Sequence, residues 1–436
     1  MRRLAVVAVV LAAALTGCVQ NLPVGAADWL AGRDGIAEAR ILTDDTGPWS
    51  SGGLVRGEFE PGLGDDEIAR LVSDIQAYAD DTGSVGFWLG IDEVDFVVPG
   101  EGPAPVALWR DVTGAPGVVS GTVAITEGTP QLRLRSLRAD AADVLDDLRT
   151  LEAGIRLEAF ADDTMLQADA LTDLRSDQHN PLALEYRLPL GCVPELPVAG
   201  FAVSLLDRDD IPGATIDLCA GITLDLAPDA PFAEAAVALR AELDERGLAG
   251  FPVQVLADGD VSRFAALTPG DPRLLEVLEV FEQDGAPAAS YSLGPDGALA
   301  VTAYDVPTRD LLALIAAAPA ASGLSAVGLE GDPVAVLGRI GELPGLLDEA
   351  EALDAASEHF GSVQLGTGFG AIALDGADPV QAAADLRASG ATEGRHFTVR
   401  YAAFQADIED GLAGLHDPGY VGADVLVAFV DAWNQG

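Results

Sequence analysis

The sequence has 436 residues and is strongly acidic, with 24 basic residues against 70 acidic ones and a formal net charge of −46. All 24 basic residues are arginine. This charge excludes an ordinary nucleic-acid-binding protein and disfavours contact with acidic membrane faces. Hydrophobic residues make up 49% of the chain and aromatic residues only 6%, so aliphatic side chains must build the core.

Residues 1–18 have the layout of a secretory signal. Arg2 and Arg3 give a cationic end, residues 4–15 are apolar, and small residues follow. Twelve apolar residues in helical conformation reach about 18 Å, whereas the hydrocarbon core of a bilayer is about 30 Å thick. The segment is therefore too short for a permanent transmembrane span, and it predicts export.

The end of this signal, Leu15-Thr16-Gly17-Cys18, resembles the lipobox of bacterial lipoproteins. The resemblance covers the signal only. It implies cleavage before Cys18, a diacylglycerol thioether on its sulfur and, in some bacteria, a further acyl chain. Several acyl chains hold a protein firmly, since each buried methylene contributes about 0.8 kcal/mol. We therefore expect an anchor at Cys18 on the extracytoplasmic face of the cell membrane. The alternative is a plain signal peptide with an incidental cysteine.

Two further cysteines, Cys192 and Cys219, would then lie in a compartment that permits oxidation. We expect them to form a disulfide, which would constrain the unfolded chain by about 3 to 4 kcal/mol. The alternative is two separate buried thiols, because the residues next to both cysteines are apolar.

After a tether predicted at residues 19–35, the chain repeats one order of elements. The clearest copy has strands at 119–125 and 132–135, a helix from Asp140 and a strand at 155–160. Leucine alternates with arginine in the second of these strands, which places one of its faces in a core. A second helical stretch follows the third strand in several copies, for example at 334–356. Each repeat is therefore close to ββαβα.

Predicted helix starts near residues 65, 140, 231, 306 and 379 give a period of about 75 residues, with extra length around Cys192. The predicted repeats are residues 36–118, 119–213 with that insertion, 214–284, 285–359 and 360–436. Four aspartates are expected to cap helix N-termini through their side-chain oxygens. They are Asp140, Asp229, Asp305 and Asp378.

These repeats predict an α+β fold of tandem ββαβα units, with small sheets that are each covered by helices. Read cyclically, the order αββαβ resembles the BON domains of bacterial envelope proteins, in element order alone. The resemblance places no functional residue on this chain. One repeat cannot easily bury its own core, so neighbouring repeats are expected to pack as an array.

No catalytic motif appears, and we expect a protein that is not an enzyme and has no cofactor. G-x-S-x-G, Walker and H-E-x-x-H patterns are all absent from the sequence. The four histidines are scattered, so surface or turn positions are expected for them: His179, His359, His396 and His416. The glycine-rich run at 366–370 lies between two predicted strands and indicates a hairpin turn, because a phosphate cradle needs a helix N-terminus.

The strongest acidic cluster in the sequence is Asp92, Glu93 and Asp95. Such hard oxygen ligands suit Ca²⁺, but no Asp-x-Asp-x-Asp-Gly loop frames them. Among 70 acidic residues a cluster of this kind arises by chance. No metal site is therefore expected, and these three residues are the weak candidates for one. The sequence does not select any carboxylate pair for hydrolysis.

The sequence favours a membrane-anchored lipoprotein that binds or scaffolds in the cell envelope, with an envelope protein or a wall polymer as partner and no nucleic acid. A substrate-binding lipoprotein of an importer is the alternative, since the anchor and the chain length suit it. A tethered hydrolase is the third hypothesis. The short repeat favours an array over two lobes that close on a ligand, and the oligomeric state stays open.

Overall fold

The computed structural model describes residues 22–43, 53–83, 85–91, 93–98, 105–160, 183–208, 210–283, 285–375, 378–416 and 424–435. The signal and Cys18 lie outside these residues, as do Asp92 and His179. The chain divides into two compact units, Met1–Ile222 and Thr223–Gly436. We refer to them as the N-terminal and the C-terminal unit.

The N-terminal unit alternates strand pairs with helices. Its described helices are α1 Leu22–Ala31, α2 Asp65–Thr82, α3 Val106–Thr113, α4 Ala141–Leu148 and α5 Leu196–Ser204, the last followed by the 3-10 turn Leu205–Asp207. Its strands are β1 Ile36–Thr43, β2 Gly53–Phe59, β3 Val85–Ile91, β4 Val94–Val98, β5 Val118–Thr126, β6 Thr129–Leu137, β7 Gly154–Phe160, β8 Ala183–Leu188 and β9 Gly213–Asp217. Strand β10, Gly221–Asp225, spans the boundary between the units.

The C-terminal unit continues the same alternation. Its helices are α6 Phe232–Glu245, the 3-10 helix Pro272–Phe281, α7 Thr308–Ala316, the 3-10 turn Ala321–Gly323, α8 Leu343–Asp354, α9 Pro379–Ser389 and α10 Asp424–Gln435. Its strands are β11 Val253–Ala257, β12 Arg263–Thr268, β13 Ser290–Leu293, β14 Ala298–Pro307, β15 Ala326–Asp332, β16 Val334–Gly338, β17 Phe360–Gly366, β18 Phe369–Leu374, β19 His396–Tyr401, β20 Phe404–Glu409 and β21 Leu412–Leu415.

In each unit, strands pair with the strands next to them in sequence. Two strands form an antiparallel hairpin, a helix follows, and the next hairpin joins in parallel. Thus β5 pairs antiparallel with β6, β6 parallel with β7, and β7 antiparallel with β8. In the C-terminal unit, β15 to β18 follow the same order. A parallel pair needs a crossover connection, and the helices supply it.

The predicted fold of separate small sheets is wrong. The described strands belong to one mixed sheet of 21 strands, because the last strand of each hairpin offers a free edge to the next hairpin. The helices pack against the strands, but no sheet closes at the end of a ββαβα repeat.

The true repeat is one hairpin and one helix. Helical segments begin at Phe232, Pro272, Thr308, Leu343 and Pro379, so successive starts are 40, 36, 35 and 36 residues apart. The predicted period of about 75 residues is therefore two structural repeats. The fourth strand of each pair of repeats was missed, because its apolar run merges with the helix that follows. The helix predicted at 334–356, for example, contains strand β16 and helix α8.

Helix capping differs from the prediction at three of four aspartates. Asp378 accepts hydrogen bonds from the N–H groups of Val380 and Gln381 and caps α9 as predicted. Asp140 stands at the cap position of α4 but makes no capping hydrogen bond. Asp229 and Asp305 lie before residues 231 and 307, which are prolines at the cap positions of α6 and α7. Early prolines fix the helical φ angle and supply the start signal there.

The core lies between the helices and one face of the strands. In β6, Leu132 and Leu134 are buried while Arg133 is exposed, the period of two that a half-covered sheet requires. The aromatic centre of the N-terminal unit is Trp109 of α3. Its indole N–H donates to the carbonyl oxygen of Val94 over 2.9 Å, which satisfies the polar atom that burial would otherwise leave unpaired.

Part of the predicted tether is folded. Residues 22–31 form α1, and Leu30 of this helix is fully buried. Trp29 stacks on Tyr78 of α2 with ring centroids 3.8 Å apart, and Arg33 lies 4.0 Å from the Trp29 ring centroid. The sequence pattern did not predict this helix, because only two of its described side chains are buried and the helix has no regular apolar stripe.

Candidate functional site

The candidate site is the strand face of the N-terminal unit that none of its described helices covers, which we call the uncovered face. One residue per strand occupies the same register across β1 to β9, and these residues form a single row. The row reads Glu38, Glu58, Gly90, Asp95, Thr122, Arg133, Arg156, Arg187 and Asp217. Acidic residues lie on β1, β2 and β4, basic residues lie on β6, β7 and β8, and the acidic Asp217 ends the row on β9.

We call Arg133, Arg156 and Arg187 the arginine row. Arg133 is the register partner of Arg156, and Arg156 is the register partner of Arg187. Neighbouring strands are about 4.8 Å apart, so three guanidinium groups stand close together on one face. Like charges directly opposite one another destabilise a sheet, so this arrangement is not what strand pairing alone would select.

Two glutamates beside the arginine row balance part of its charge. Glu185 accepts from Nη2 of Arg156 over 2.8 Å and also pairs with Arg187. Glu158 lies 3.4 Å from Nη2 of Arg156 and 3.4 Å from Nε of Arg135. Arg135 neighbours Arg133 on the same face of β6, and Asp217 on β9 is the register partner of Arg187. Four arginines thus meet three carboxylates, and the patch keeps one positive charge.

Arg133 stays free of this network. It is exposed, and it has no ion pair or side-chain hydrogen bond among the residues that the structure describes. Nε of Arg156 is buried and also has no acceptor among them. The arginine row therefore has donor capacity that the described part of the protein does not use.

A buried ion pair joins Asp95 of the row to Arg56, which lies on the same face one register away. Nε of Arg56 on β2 donates to both oxygens of Asp95 on β4, over 3.0 and 2.9 Å. The two side chains keep only 7% and 6% of their exposure, although they stand on the uncovered face. Strand β3 lies between them, and Gly90 makes the contact feasible. A Cβ at Gly90 would lie 2.4 Å from Oδ1 of Asp95.

Burial raises the pKa of the Asp95 carboxyl to about 6, although the hydrogen bond and the positive charge of Arg56 act in the opposite direction. The nearby carboxylate of Glu93 raises it further. Desolvation lowers the pKa of Arg56, but the hydrogen bond that Arg56 donates to Asp95 and the charge of that carboxylate outweigh this effect, so the net shift is upward. For Asp95, burial outweighs the stabilisation of its charge by Arg56 and Arg40.

The acidic cluster Asp92, Glu93 and Asp95 does not assemble as a calcium site among the described residues. Asp95 is committed to Arg56, and Asp92 lies outside the described residues. No group of three His, Cys, Asp or Glu side chains that could hold a metal ion occurs in the part of the chain that the structure describes.

A disulfide joins Cys192 to Cys219, whose Cα atoms are 6.3 Å apart. It links the segment between β8 and α5 to the turn after β9. Cys192 is half-buried and Cys219 is exposed, so the alternative of two separate buried thiols is wrong. The backbone N–H of Cys219 donates to Oδ1 of Asp217 over 3.0 Å, which fixes the turn that carries the bond.

The histidines do not form a catalytic group among the described residues. His396 and His416 are exposed, as predicted, but both approach Asp407, with nitrogen to oxygen distances of 3.7 and 3.4 Å. His396 also lies 2.8 Å from Glu409. The glycine-rich run at 366–370 is the hairpin turn between β17 and β18, with Gly368 at φ +84°, as predicted.

The uncovered strand face of the C-terminal unit has a different composition. Its corresponding row crosses β12 to β19. It reads Phe264, Ser292, Ala300, Gly328, Leu337, Gly366, Phe369 and His396. Seven of these eight residues carry no titratable group, and four of them are Gly, Ala or Ser. The C-terminal unit thus lacks a counterpart of the arginine row along this register.

No protein family, curated protein or solved structure matches this chain. None of the described helices combines the length and the apolarity needed to cross a membrane. Any functional assignment therefore depends on the two strand faces and the signal-like segment. Sequence reasoning missed Arg56, Arg156 and Arg187, because strand register and not chain position brings them to one face.

Proposed function

We propose that this protein is a lipid-anchored, non-enzymatic binding protein on the extracytoplasmic face of the cell membrane. The observation that carries the proposal is the uncovered strand face of the N-terminal unit, where the arginine row has unused donors. The resemblance of the first eighteen residues to a lipoprotein signal supports the anchor at Cys18.

The shape of this face suits binding better than catalysis. The charged groups that the structure describes on this face are spread along neighbouring registers of several strands and do not converge on one point. Acid–base and nucleophilic catalysis need two or three groups that converge on one reacting atom within hydrogen-bond reach. The one strongly perturbed carboxyl on the face, Asp95, is held by Arg56 and is buried.

The anchor is tested by replacing Cys18 with serine and fractionating the cells. The wild-type protein is expected to stay with membranes after a high-salt wash, and Cys18→Ser is expected to appear in the soluble fraction. A matched control is Cys192→Ser, which changes another cysteine and should leave the protein on the membrane. Membrane retention of Cys18→Ser would contradict the anchor.

Two assays separate binding from the competing functions. Turnover of any substrate in a hydrolase panel, abolished by one carboxylate or serine substitution, would establish an enzyme and contradict the proposal. A small-molecule thermal-shift screen addresses the importer hypothesis, because a ligand that binds only the folded state raises the melting temperature. A large shift from one small molecule, unchanged by substitutions in the arginine row, would favour that hypothesis instead.

A further inference from the structure

We propose that the arginine row binds a carboxylated polysaccharide whose chain lies across strands β6, β7 and β8. The inference rests on the proposed binding function and names its partner class. Its first basis is the concentration of positive charge. Four arginines against the carboxylates of Glu158, Glu185 and Asp217 leave one positive charge on this patch, in a chain whose formal net charge is −46.

The second basis is the unused donors. Arg133 is exposed, and it has no ion pair or side-chain hydrogen bond among the described residues. Arg187 is 49% exposed, and Glu185 on its own strand is its partner. A guanidinium is planar and can donate two parallel hydrogen bonds to a carboxylate. Arg133 and Arg187 are therefore the two positions best placed to receive carboxylates.

The spacing of the row favours a saccharide over a peptide. Arg133 and Arg187 lie two strands apart, about 9.6 Å across the sheet. In an extended acidic peptide, only every second side chain points to the same side, so its carboxylates recur about every 6.8 Å. In an extended polyuronate, successive rings face opposite sides, and the carboxylates of alternate rings recur closer to the separation of these two arginines. Hydroxyl groups of the sugar would meet Thr122 and Ser120, the register partners of Arg133 and Arg135 on β5.

The charge of the whole protein disfavours a denser polyanion. A polyphosphate carries a charge on every phosphorus atom, and the large negative charge of the rest of the chain would repel it. A polyuronate carries one charge per sugar ring and offers apolar and hydroxyl surface between charges. The flat strand face also matches an extended chain better than a compact ligand, which would need a concave pocket.

The test is titration calorimetry of the full chain with a galacturonate hexamer at low salt. Binding is expected, and its affinity is expected to fall as salt rises. Arg133→Ala and Arg187→Ala should each weaken the affinity by about three- to tenfold, as expected for loss of one charged hydrogen-bond donor. The matched control is Arg149→Ala at the end of α4, whose side chain is 63% exposed and paired with Asp146. It should leave the affinity unchanged.

Three comparison ligands make the result decisive: a neutral N-acetylglucosamine hexamer, hexaglutamate and inorganic polyphosphate. No binding of the galacturonate hexamer would overturn the proposal, as would equal weakening by Arg149→Ala. Tighter binding of hexaglutamate or polyphosphate that depends on Arg133 would assign the row to that ligand instead. This test measures affinity and not turnover. A negative result here would therefore contradict only the polysaccharide partner, because the enzyme and fractionation assays decide the proposed function.

Discussion

The two units share one backbone plan but present different uncovered faces. In both units, hairpins and helices alternate, and strands such as β6 and β11 bury alternate residues. On the N-terminal unit the remaining residues form an acidic half, the Arg56–Asp95 pair and the arginine row. On the C-terminal unit the equivalent row from Phe264 to His396 has small or apolar residues at seven of its eight positions.

This difference separates what the fold requires from what it permits. The helix-covered face must be apolar in both units, because burial there provides most of the stability. The uncovered face has no such requirement, as the C-terminal unit demonstrates with alanine, glycine and serine. The fold therefore does not require the charged residues on the uncovered face of the N-terminal unit. The following experiments test whether they serve stability or binding.

The largest effect is expected for the buried ion pair. Asp95→Ala removes the carboxylate that Arg56 bonds to and should lower the free energy of unfolding by about 3 to 5 kcal/mol in urea denaturation. The double variant Arg56→Met with Asp95→Leu should recover most of this loss, because it removes both charges from the buried site. The control is Asp348→Ala, which breaks an exposed pair with Arg309 and should have no measurable effect. Wild-type stability of Asp95→Ala would contradict the pair's structural role.

The disulfide should come next. Replacing Cys192 and Cys219 with serine is expected to lower the free energy of unfolding by about 3 to 4 kcal/mol, because the bond constrains an unfolded chain segment with a sequence separation of 27 residues. Both cysteines lie in the N-terminal unit. Faster hydrogen exchange should therefore be confined to that unit, and an equal loss of protection in both units would contradict this assignment.

A pH effect should follow from the raised pKa of Asp95. Since this pKa is about 6 in the folded protein and about 4 in an unfolded chain, the folded state binds the proton more tightly in that interval. The contribution of Asp95 to the free energy of unfolding is therefore largest below pH 4. It falls by about 2 to 3 kcal/mol as pH rises through 6. The measurement is the stability difference between wild type and Asp95→Asn from pH 4 to 7. An increase of this stability difference with pH would contradict the predicted direction of the effect.

On the C-terminal unit, close packing replaces charge. A Cβ at Gly366 would lie 2.0 Å from the ring of Phe369, so Gly366→Ala should displace that ring and cost about 1 to 3 kcal/mol. Gly345→Ala in α8 is the matched control, because a Cβ there meets no atom within 4 Å. It should stabilise the helix by about 0.5 to 1 kcal/mol. Equal effects of both changes in thermal unfolding would show that the uncovered face is not packed as described.

The smallest effect on stability is expected at Arg133. Arg133→Thr gives this position of the arginine row a neutral side chain, like those of the C-terminal unit. The free energy of unfolding should change by less than about 0.5 kcal/mol or rise slightly, because a like-charge contact with Arg156 is removed. A loss of 2 kcal/mol or more in urea denaturation would mean that the row is structural.

Most individual helices and strands could be predicted from the sequence. The alternation of leucine and arginine in 132–135 correctly predicted a half-covered strand, and the apolar stripe from Asp65 correctly predicted α2. The strands that were missed have weak signals. Phe264, Ala265 and Ala266 in β12 are not a clear β pattern, and Val334 to Gly338 of β16 runs close to the start of α8. Missing such strands doubled the apparent repeat and led to the wrong prediction of separate sheets.

The candidate site was less accessible to prediction. Arg56 and Asp95 are 39 residues apart and lie on strands that are not adjacent. Arg133, Arg156 and Arg187 lie on three strands whose register depends on loops and on the crossover helix α4. A shift of one residue in any of these strands would move its arginine to the other face. The sequence contains the arginines, but only the strand pairing puts them in one line.

The pairing of each strand with its sequence neighbours has a consequence for how the protein forms. Within either unit, a hairpin needs only the preceding hairpin and its helix to complete its contacts, so most pairings join segments that are close in sequence. Topologies dominated by local contacts fold quickly, and repeat arrays can grow from a nucleus one repeat at a time. A chain that emerges from an export channel amino end first could therefore add each hairpin to a finished edge as it appears. We expect pulse-labelled intermediates to gain protection in order from β1 onward.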